Sequence, residues 1–337
     1  MNNIYKTPIT VVTGCLGSGK TTLLRKLLKK PELEKTAVIV NEFGQVGLDH
    51  HLLRKTDETT ILLKGGCICC NNREDLENEL KSLLNLDQKQ EKFNRVIIET
   101  TGMADPAPIL FTVLTNPILQ HHFYIECVIT TVDAKNGLLH IKNNPELLKQ
   151  VTVADKIILT KTDITPPNQK EGVIEQLRII NPAVDIIEVV NGDADVGIIE
   201  ANSNRPSIDS MFEKKDKKIN KNHYSSDIQS ISFTFNKPLD WTAFGLWLSA
   251  LLHANGENIM RVKGLLDVGE KGPIVLNGVQ HIIHPPDHLN EWPEGEKQSH
   301  LIFILRVIDP DSIYKSLKTF QNFLGSDFEL LELNKAL

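Results

Sequence analysis

Six runs in the first two-thirds of the chain are almost wholly apolar and rich in β-branched residues: Ile9–Thr13, Thr36–Asn41, Arg95–Glu99, Glu126–Asp133, Lys156–Thr160 and Asp185–Val190. Near-continuous apolar character, rather than strict alternation, marks strands covered on both faces. Between them lie stretches with helical spacing at Lys20–Lys30, Asn71–Leu84, Pro106–Leu114 and Gln169–Ile180. This alternation predicts an α/β fold, a mostly parallel sheet with helices on both faces.

The pattern changes near residue 203. Residues 203–228 are polar, of mixed charge and poor in large apolar groups, which predicts a linker or exposed loop. Its "KKDKK" run reads as a solvated stretch. Beyond it, the pattern predicts strands over 228–235, 258–268, 273–284 and 299–308 and helices over 240–256 and 309–324. Trp241, Phe244, Leu248 and Leu251 recur at helical spacing and are expected in a core. The expected organisation is a nucleotide-binding domain at 1–202, a linker at 203–228 and a smaller α+β domain at 229–337.

Composition narrows the class. A chain of 337 residues has room for two cores, and 41% hydrophobic with 24% charged residues is ordinary for a globular protein. A net charge of −6 speaks against a dedicated nucleic-acid binder. The first residues lack a charged segment followed by a long apolar one, and no run of 18 apolar residues occurs. Neither a leader nor a membrane span is expected, and the cytoplasm is the expected location. The five cysteines are odd in number and clustered, which fits reduced thiols better than a disulfide framework.

"GCLGSGKT", Gly14 to Thr21, matches the phosphate-loop pattern G-x-x-x-x-G-K-[ST], between a predicted strand and a predicted helix. Gly14, Gly17 and Gly19 let the backbone curl so that its N–H groups face phosphate oxygens. Lys20 would reach the β- and γ-phosphates, and Thr21 would offer its hydroxyl to Mg²⁺. "TKTD", Thr160 to Asp163, ends a later strand. Asp163 there can accept from the ring N–H and 2-amino group of guanine, with Lys161 over the base plane. Val189–Gly192 is a weaker pointer to a loop behind the base. Glu99, at the tip of a buried strand, can hold the Mg²⁺ shell or orient the attacking water. Residues 41–53, glycine-bearing and polar, suit a segment that responds to the γ-phosphate.

The run "GGCICCNN" gathers Cys67, Cys69 and Cys70. Cys67 and Cys69 point the same way in an extended segment, and Gly65 and Gly66 supply freedom to bend. Asn71 and Glu74 fit a helix N-cap pattern, so the thiols would lie near a helix N-terminus, which favours thiolates. A tetrahedral Zn²⁺ site would then be one ligand short, and Glu42, His50, His51 or water could complete it. A strained redox pair at Cys69–Cys70, or three buried small residues, stay open as alternatives. Cys15 reads as filler in the phosphate loop and Cys127 as core. His281, His284 and His288 form a candidate second metal site.

Taken in order, "GCLGSGKTT", "NEFGQVGLDH", "GGCICC", "IIETTG" and "TKTD" resemble the CobW family of P-loop GTPases. "RVKGLLDV", "VLNGVQHIIHPP" and "LIFILRVID" resemble that family's C-terminal domain, so the resemblance covers nearly the whole chain. It implies GTP hydrolysis coupled to delivery of a transition metal, zinc or cobalt, into a client protein docked through the C-terminal domain. The implied phosphate-binding residues are Gly14, Leu16, Gly17, Ser18, Gly19, Lys20, Thr21 and Thr22, and the implied metal ligands are Cys67, Cys69 and Cys70. Two departures stand out. Cys15 occupies a position where an aromatic residue is common. Thr160 replaces the usual Asn of N-K-x-D, which is expected to remove one tie between base loop and phosphate loop. The sequence leaves open a nucleotide- or metal-dependent dimer. It also leaves open a metal-sequestering regulator, or an assembly factor with redox-sensing thiols.

Overall fold

A computed structural model describes residues 6–40, 61–64, 73–87, 93–200, 228–235, 237–292, 297–323 and 330–336. The chain divides into two compact units, Met1–Gln176 with Val184–Ser203, and Leu177–Ala183 with Asn204–Leu337.

The first unit is built on a seven-stranded sheet. Its strands are β1 (Thr7–Gly14), β2 (Thr36–Val40), β3 (Ile61–Lys64), β4 (Arg95–Glu99), β5 (Phe123–Asp133), β6 (Lys156–Thr160) and β7 (Asp185–Val189). Their order is β3-β2-β4-β1-β5-β6-β7, and every pairing is parallel. The six apolar runs are thus strands of one parallel sheet. β3 is additional, and its four residues are too short and too plain to stand out from sequence.

The helices are α1 (Lys20–Leu27), α2 (Arg73–Asp87), α3 (Ala107–Thr115), α4 (Pro117–His122), α5 (Gly137–Asn143), α6 (Pro145–Val153) and α7 (Pro167–Ile180). α1 buries Leu23, Leu24 and Leu27 in a core with Val12, Ile97, Ile129 and Ile158. Its last turn carries Arg25 and Lys26, where cations suit the helix dipole. The expected cap at Asn71 falls outside the described residues, and α2 is described from Arg73. α4 and α6 each open with Asn-Pro. Asn116 accepts from the N–H groups of Ile118 and Leu119, and Asn144 accepts from those of Glu146 and Leu147. Because all seven strands run parallel, Gly14, Glu99, Asp133 and Thr160 end at one sheet edge, where ligands bind in open α/β sheets.

The second unit is an antiparallel sheet in the order β11-β10-β9-β13-β8-β14, with β12 paired to β10. The strands are β8 (Ile228–Phe235), β9 (Ile259–Leu266), β10 (Ile274–Val279), β11 (Ile282–Ile283), β12 (Asp287–His288), β13 (Ser299–Arg306) and β14 (Leu330–Ala336). Helices α8 (Trp241–Asn255) and α9 (Pro310–Phe323) contribute to the same core as Phe233, Phe235 and Phe303. Phe244, Leu248 and Leu251 are buried there, and Trp241 packs against it partly buried. Trp247 Nε1 donates to Ser316 Oγ at 3.1 Å, which ties the two helices together. The strand expected over 273–284 is instead a hairpin, β10 and β11, that turns at Gln280 with φ 53°.

Candidate functional site

β1 ends at Gly14, and the chain curls into α1 through residues 15–19. Gly14 has φ +136°, and a Cβ there would fall 2.4 Å from Thr131 O and Oγ1. Only glycine lets the loop lie this close to β5. Ser18 N–H donates to Cys15 O at 3.1 Å, closing the curl. Lys20 is 8% exposed, and its Nζ donates to Gly14 O at 2.7 Å and Cys15 O at 3.1 Å. Leu16 projects outward, 84% exposed, and Thr22 is exposed at the start of α1.

Beneath the loop lies a shelf of hydroxyls from the ends of neighbouring strands. Thr131 Oγ1 donates to Thr13 O at 3.2 Å. Ser18 Oγ must therefore be the donor in its 2.5 Å contact with Thr131 Oγ1, because each hydroxyl has one proton. Thr100 Oγ1 donates to Thr13 Oγ1 at 2.7 Å. Sequence reading missed this shelf, although a threonine lies within two residues of the ends of β1, β4, β5 and β6 alike.

Glu99 is 4% exposed, and Thr21 Oγ1 donates to its Oε1 at 2.9 Å. The two groups assigned to Mg²⁺ therefore meet at the end of β4, beside the loop. Three residues on, Gly102 abuts the loop: a Cβ there would lie 2.3 Å from Leu16 N. Gln150, wholly buried, donates through Nε2 to Gly102 O at 3.4 Å and Ala104 O at 2.9 Å. Gly102 and Gln150 were not singled out by sequence; the spacing Glu99-x-x-Gly102 was the available signal.

At the end of β6, Lys161 adopts φ 57° and Asp163 lies exposed in the 3-10 turn Thr162–Ile164. Lys161 Nζ reaches Asp133 Oδ2 at 2.6 Å. Burial would raise the Asp133 pKa, but hydrogen bonds from Lys161, Asn136 and the Lys135 N–H outweigh it and hold the carboxyl below its ordinary value. One expectation is corrected here. Thr160 does not loosen the base loop, because its Oγ1 donates to Ser18 O at 2.7 Å. The shorter side chain still reaches, since β6 ends against the phosphate loop; a Cβ on Gly19 would sit 3.4 Å from Thr160 Cγ2. The turn at Asn191–Gly192 packs on α1, with a Gly192 Cβ placed 2.7 Å from Thr22 O.

Cys15 and Cys127 are buried. Cys15 Sγ accepts from Asn144 Nδ2 at 3.3 Å, and burial raises its thiol pKa. Cys67, Cys69, Cys70, Glu42, His50 and the segment 41–53 lie outside the described residues. The chain's route to the cysteines is described: β3 ends at Lys64 on the same sheet edge, and α2 departs at Arg73. β3 stands three strand spacings from β1, roughly 14 Å. Arg73 lies over the ring of Phe111 on α3, 4.4 Å from its centroid. His284, half-buried, donates its backbone N–H to Asn277 O at 2.9 Å, and the exposed His288 has Nδ1 3.4 Å from Glu270 Oε2. Among the described residues no group of three or more His, Cys, Asp or Glu is placed to hold a metal.

A parallel sheet carrying a G-x-x-x-x-G-K-T loop, a strand-tip acid and a base loop defines a P-loop nucleotide-binding protein. Comparison with known proteins narrows this. Residues 8–188 match the CobW/HypB/UreG nucleotide-binding domain, and 228–321 match the cobalamin synthesis protein cobW C-terminal domain. The chain is 34% identical over 308 residues to the zinc chaperone YjiA of Escherichia coli, covering 88% of this chain and 93% of that protein. It is 28% identical over 339 residues to zinc-regulated GTPase metalloprotein activator 1 of Schizosaccharomyces pombe, covering 88% and 81%. The crystal structure of Zn(II)-bound YjiA GTPase superposes with TM-score 0.68 at 30% identity, over 94% of this chain and 99% of that one. The chain belongs to the CobW family of GTP-binding P-loop proteins. No helix among the described residues is long and apolar enough to cross a membrane.

Proposed function

We propose that this protein is a cytoplasmic GTP-hydrolysing metallochaperone. It would hold a transition metal ion, zinc or cobalt, at Cys67, Cys69 and Cys70, with Glu42 or His50 as further ligand, and pass it to a client protein through the C-terminal domain. The observation that carries this reading is the common sheet edge. The phosphate loop, Glu99 and the strand that leads into the cysteine run all open on it. Relatives named as a zinc chaperone and as a zinc-regulated GTPase metalloprotein activator, each matched over most of the chain, support the cargo.

The residues at the loop suit GTP. N–H groups of residues 14–19 would cradle the phosphates. Lys20 would exchange the carbonyls of Gly14 and Cys15 for phosphate oxygens. Thr21 and Glu99 fit Mg²⁺, since a hydroxyl and a buried carboxylate converge there; bound Mg²⁺ neutralises charge on the phosphates. Asp163 and Lys161 would read guanine. Gly102, pressed on Leu16 N, is placed to feel a change at the loop and move α3 behind it. Arg73, seated on Phe111 of α3, would carry that change to the exit of the cysteine run.

The test is the GTPase rate with and without Zn²⁺ or Co²⁺, in wild type and in a Cys67→Ser, Cys69→Ser, Cys70→Ser variant. Metal is expected to change the wild-type rate and not the variant's. An equal response in both would overturn the coupling. Passing the metal on in one nucleotide state makes a second demand: metal affinity must differ between GDP and a non-hydrolysable GTP analogue, and by linkage bound metal must shift the affinities for the two nucleotides by the same factor. Equal affinity in both states would mark a sequestering module instead.

A further inference from the structure

We propose that Asp133 is a positioning residue for guanine recognition: it pins Lys161 across the base loop and so sets where Asp163 presents its carboxylate. The inference rests on the guanine reading of Thr160–Asp163.

Asp133 ends β5, directly opposite Thr160 of β6 in the parallel register, and is 3% exposed. Its two oxygens do different jobs. Oδ1 accepts from the N–H groups of Lys135 at 2.8 Å and Asn136 at 3.4 Å, shaping the turn into α5. Oδ2 accepts from Lys161 Nζ at 2.6 Å and Asn136 Nδ2 at 2.8 Å. Oδ1 serves the turn alone, whereas Oδ2 is shared: Asn136 belongs to the turn, and the Lys161 ammonium ties the same oxygen to the base loop.

Lys161 is held at both ends. Its backbone takes the left-handed conformation, which L-residues other than glycine rarely adopt. Its carbonyl accepts from Thr165 Oγ1 at 2.7 Å. Its ammonium is fixed on Asp133. The stem between those points is held at both ends, where a free lysine would sample many rotamers. Across the loop, Ala134 N–H donates to Thr160 O at 2.9 Å and Gln169 Nε2 donates to Lys135 O at 2.6 Å. The stem then offers a purine a fixed apolar edge. The backbone that carries Asp163 is already ordered before nucleotide arrives, and such preorganisation lowers the cost of binding.

Two substitutions separate the roles in the full-length protein. Asp133→Asn keeps one acceptor for the turn and turns an amide NH₂ toward Lys161. Lys161→Met keeps the apolar stem, loses the pin and leaves the turn intact. Affinities for GDP, for IDP, which lacks the 2-amino group, and for pyrophosphate are measured in wild type, both variants and the double variant. Each single variant is expected to lower the GDP-to-IDP preference by about tenfold, with pyrophosphate binding unchanged. The double variant should be no worse than either, because both remove one interaction. Additive losses, or equal losses for GDP, IDP and pyrophosphate, would make Asp133 a fold residue and overturn the proposal. So would a Lys161→Met protein with unchanged preference. If Asp133→Asn flips its amide and breaks the turn, its melting temperature falls and Lys161→Met alone decides. A wild type that binds GDP and IDP equally would instead sink the guanine reading itself.

Discussion

At the residue scale, the base loop shows how one atom can reverse an expectation. From sequence, Thr160 in place of Asn loses an amide that could reach the phosphate loop. In the fold, β6 ends so near residues 18 and 19 that a hydroxyl suffices, and Thr160 Oγ1 donates to Ser18 O at 2.7 Å. Sequence carries residue type but not the separation of two strand ends, so the motif was legible and its tie was not. Thr160→Val is nearly isosteric and removes the donor. It leaves a buried carbonyl unpaired at its best contact, a loss of about 1–3 kcal/mol. The expected result is a lower melting temperature and weaker GDP binding, while Thr160→Ser stays near wild type. Unchanged GDP affinity in Thr160→Val would show that the tie does not organise the loop. The phosphate loop itself was readable because its glycines and lysine are needed at fixed spacing; Gly14, with a hypothetical Cβ 2.4 Å from Thr131 O, shows why.

At the element scale, the long apolar runs were legible, whereas α4 and α6 were not read. Each nonetheless announces itself by Asn-Pro, a cap followed by a residue preset for the first turn. Asn144 does more than cap α6, since its Nδ2 also donates to Cys15 Sγ in the phosphate loop. Asn144→Ala and Asn116→Ala should each cost about 1 kcal/mol of stability through the lost cap. Only Asn144→Ala should also speed alkylation of Cys15, read by mass spectrometry of the labelled thiol. Equal Cys15 labelling in both variants would mean that the contact does not hold the loop. The same scale contains the link between nucleotide and cysteines. β3 was invisible to the pattern, and its presence fixes where the chain enters the cysteine run. Arg73 over Phe111 fixes where it leaves. An exposed cation–π contact is worth about 0.5–1 kcal/mol, too little to unfold the unit. Arg73→Ala is therefore expected to leave GDP affinity and melting temperature near wild type and to weaken the response of GTPase rate to Zn²⁺. A full metal response in that variant would remove α3 from the coupling route.

At the scale of the whole molecule, the two units carry buried titrating groups that pull in opposite directions as pH changes. In the second unit, His300 on β13 is 9% exposed, with Thr234 Oγ1 3.4 Å from its Nδ1. Burial lowers its pKa to about 4. The unfolded chain binds that proton more readily than the folded one, so the stability it governs is full above its ordinary 6.5 and lost as pH falls from 6.5 toward 4. In the first unit, Glu79 on α2 is partly buried, and burial followed by the charge of Asp75 raises its pKa to about 7. Here the folded state holds the proton more tightly. Its contribution is full below the ordinary 4.5 and is lost as pH rises through 7. Hydrogen exchange read peptide by peptide, with intrinsic rates corrected for pH, separates the two. Protection of β8, β9 and β13 should fall on going from pH 7 to pH 5, and protection of α2 should rise over the same interval. His300→Gln should flatten the first change and leave the second, and Glu79→Gln should do the reverse. Parallel changes in both units, or slopes that survive these substitutions, would assign the pH dependence to other groups. The exchange on α2 has a functional reading as well, because that helix begins at Arg73, three residues after Cys70. An α2 that loosens as pH rises through 7 would loosen the exit anchor of the cysteine run in the range where thiolates gain population. The metal response of the GTPase rate should then depend more steeply on pH in wild type than in Glu79→Gln.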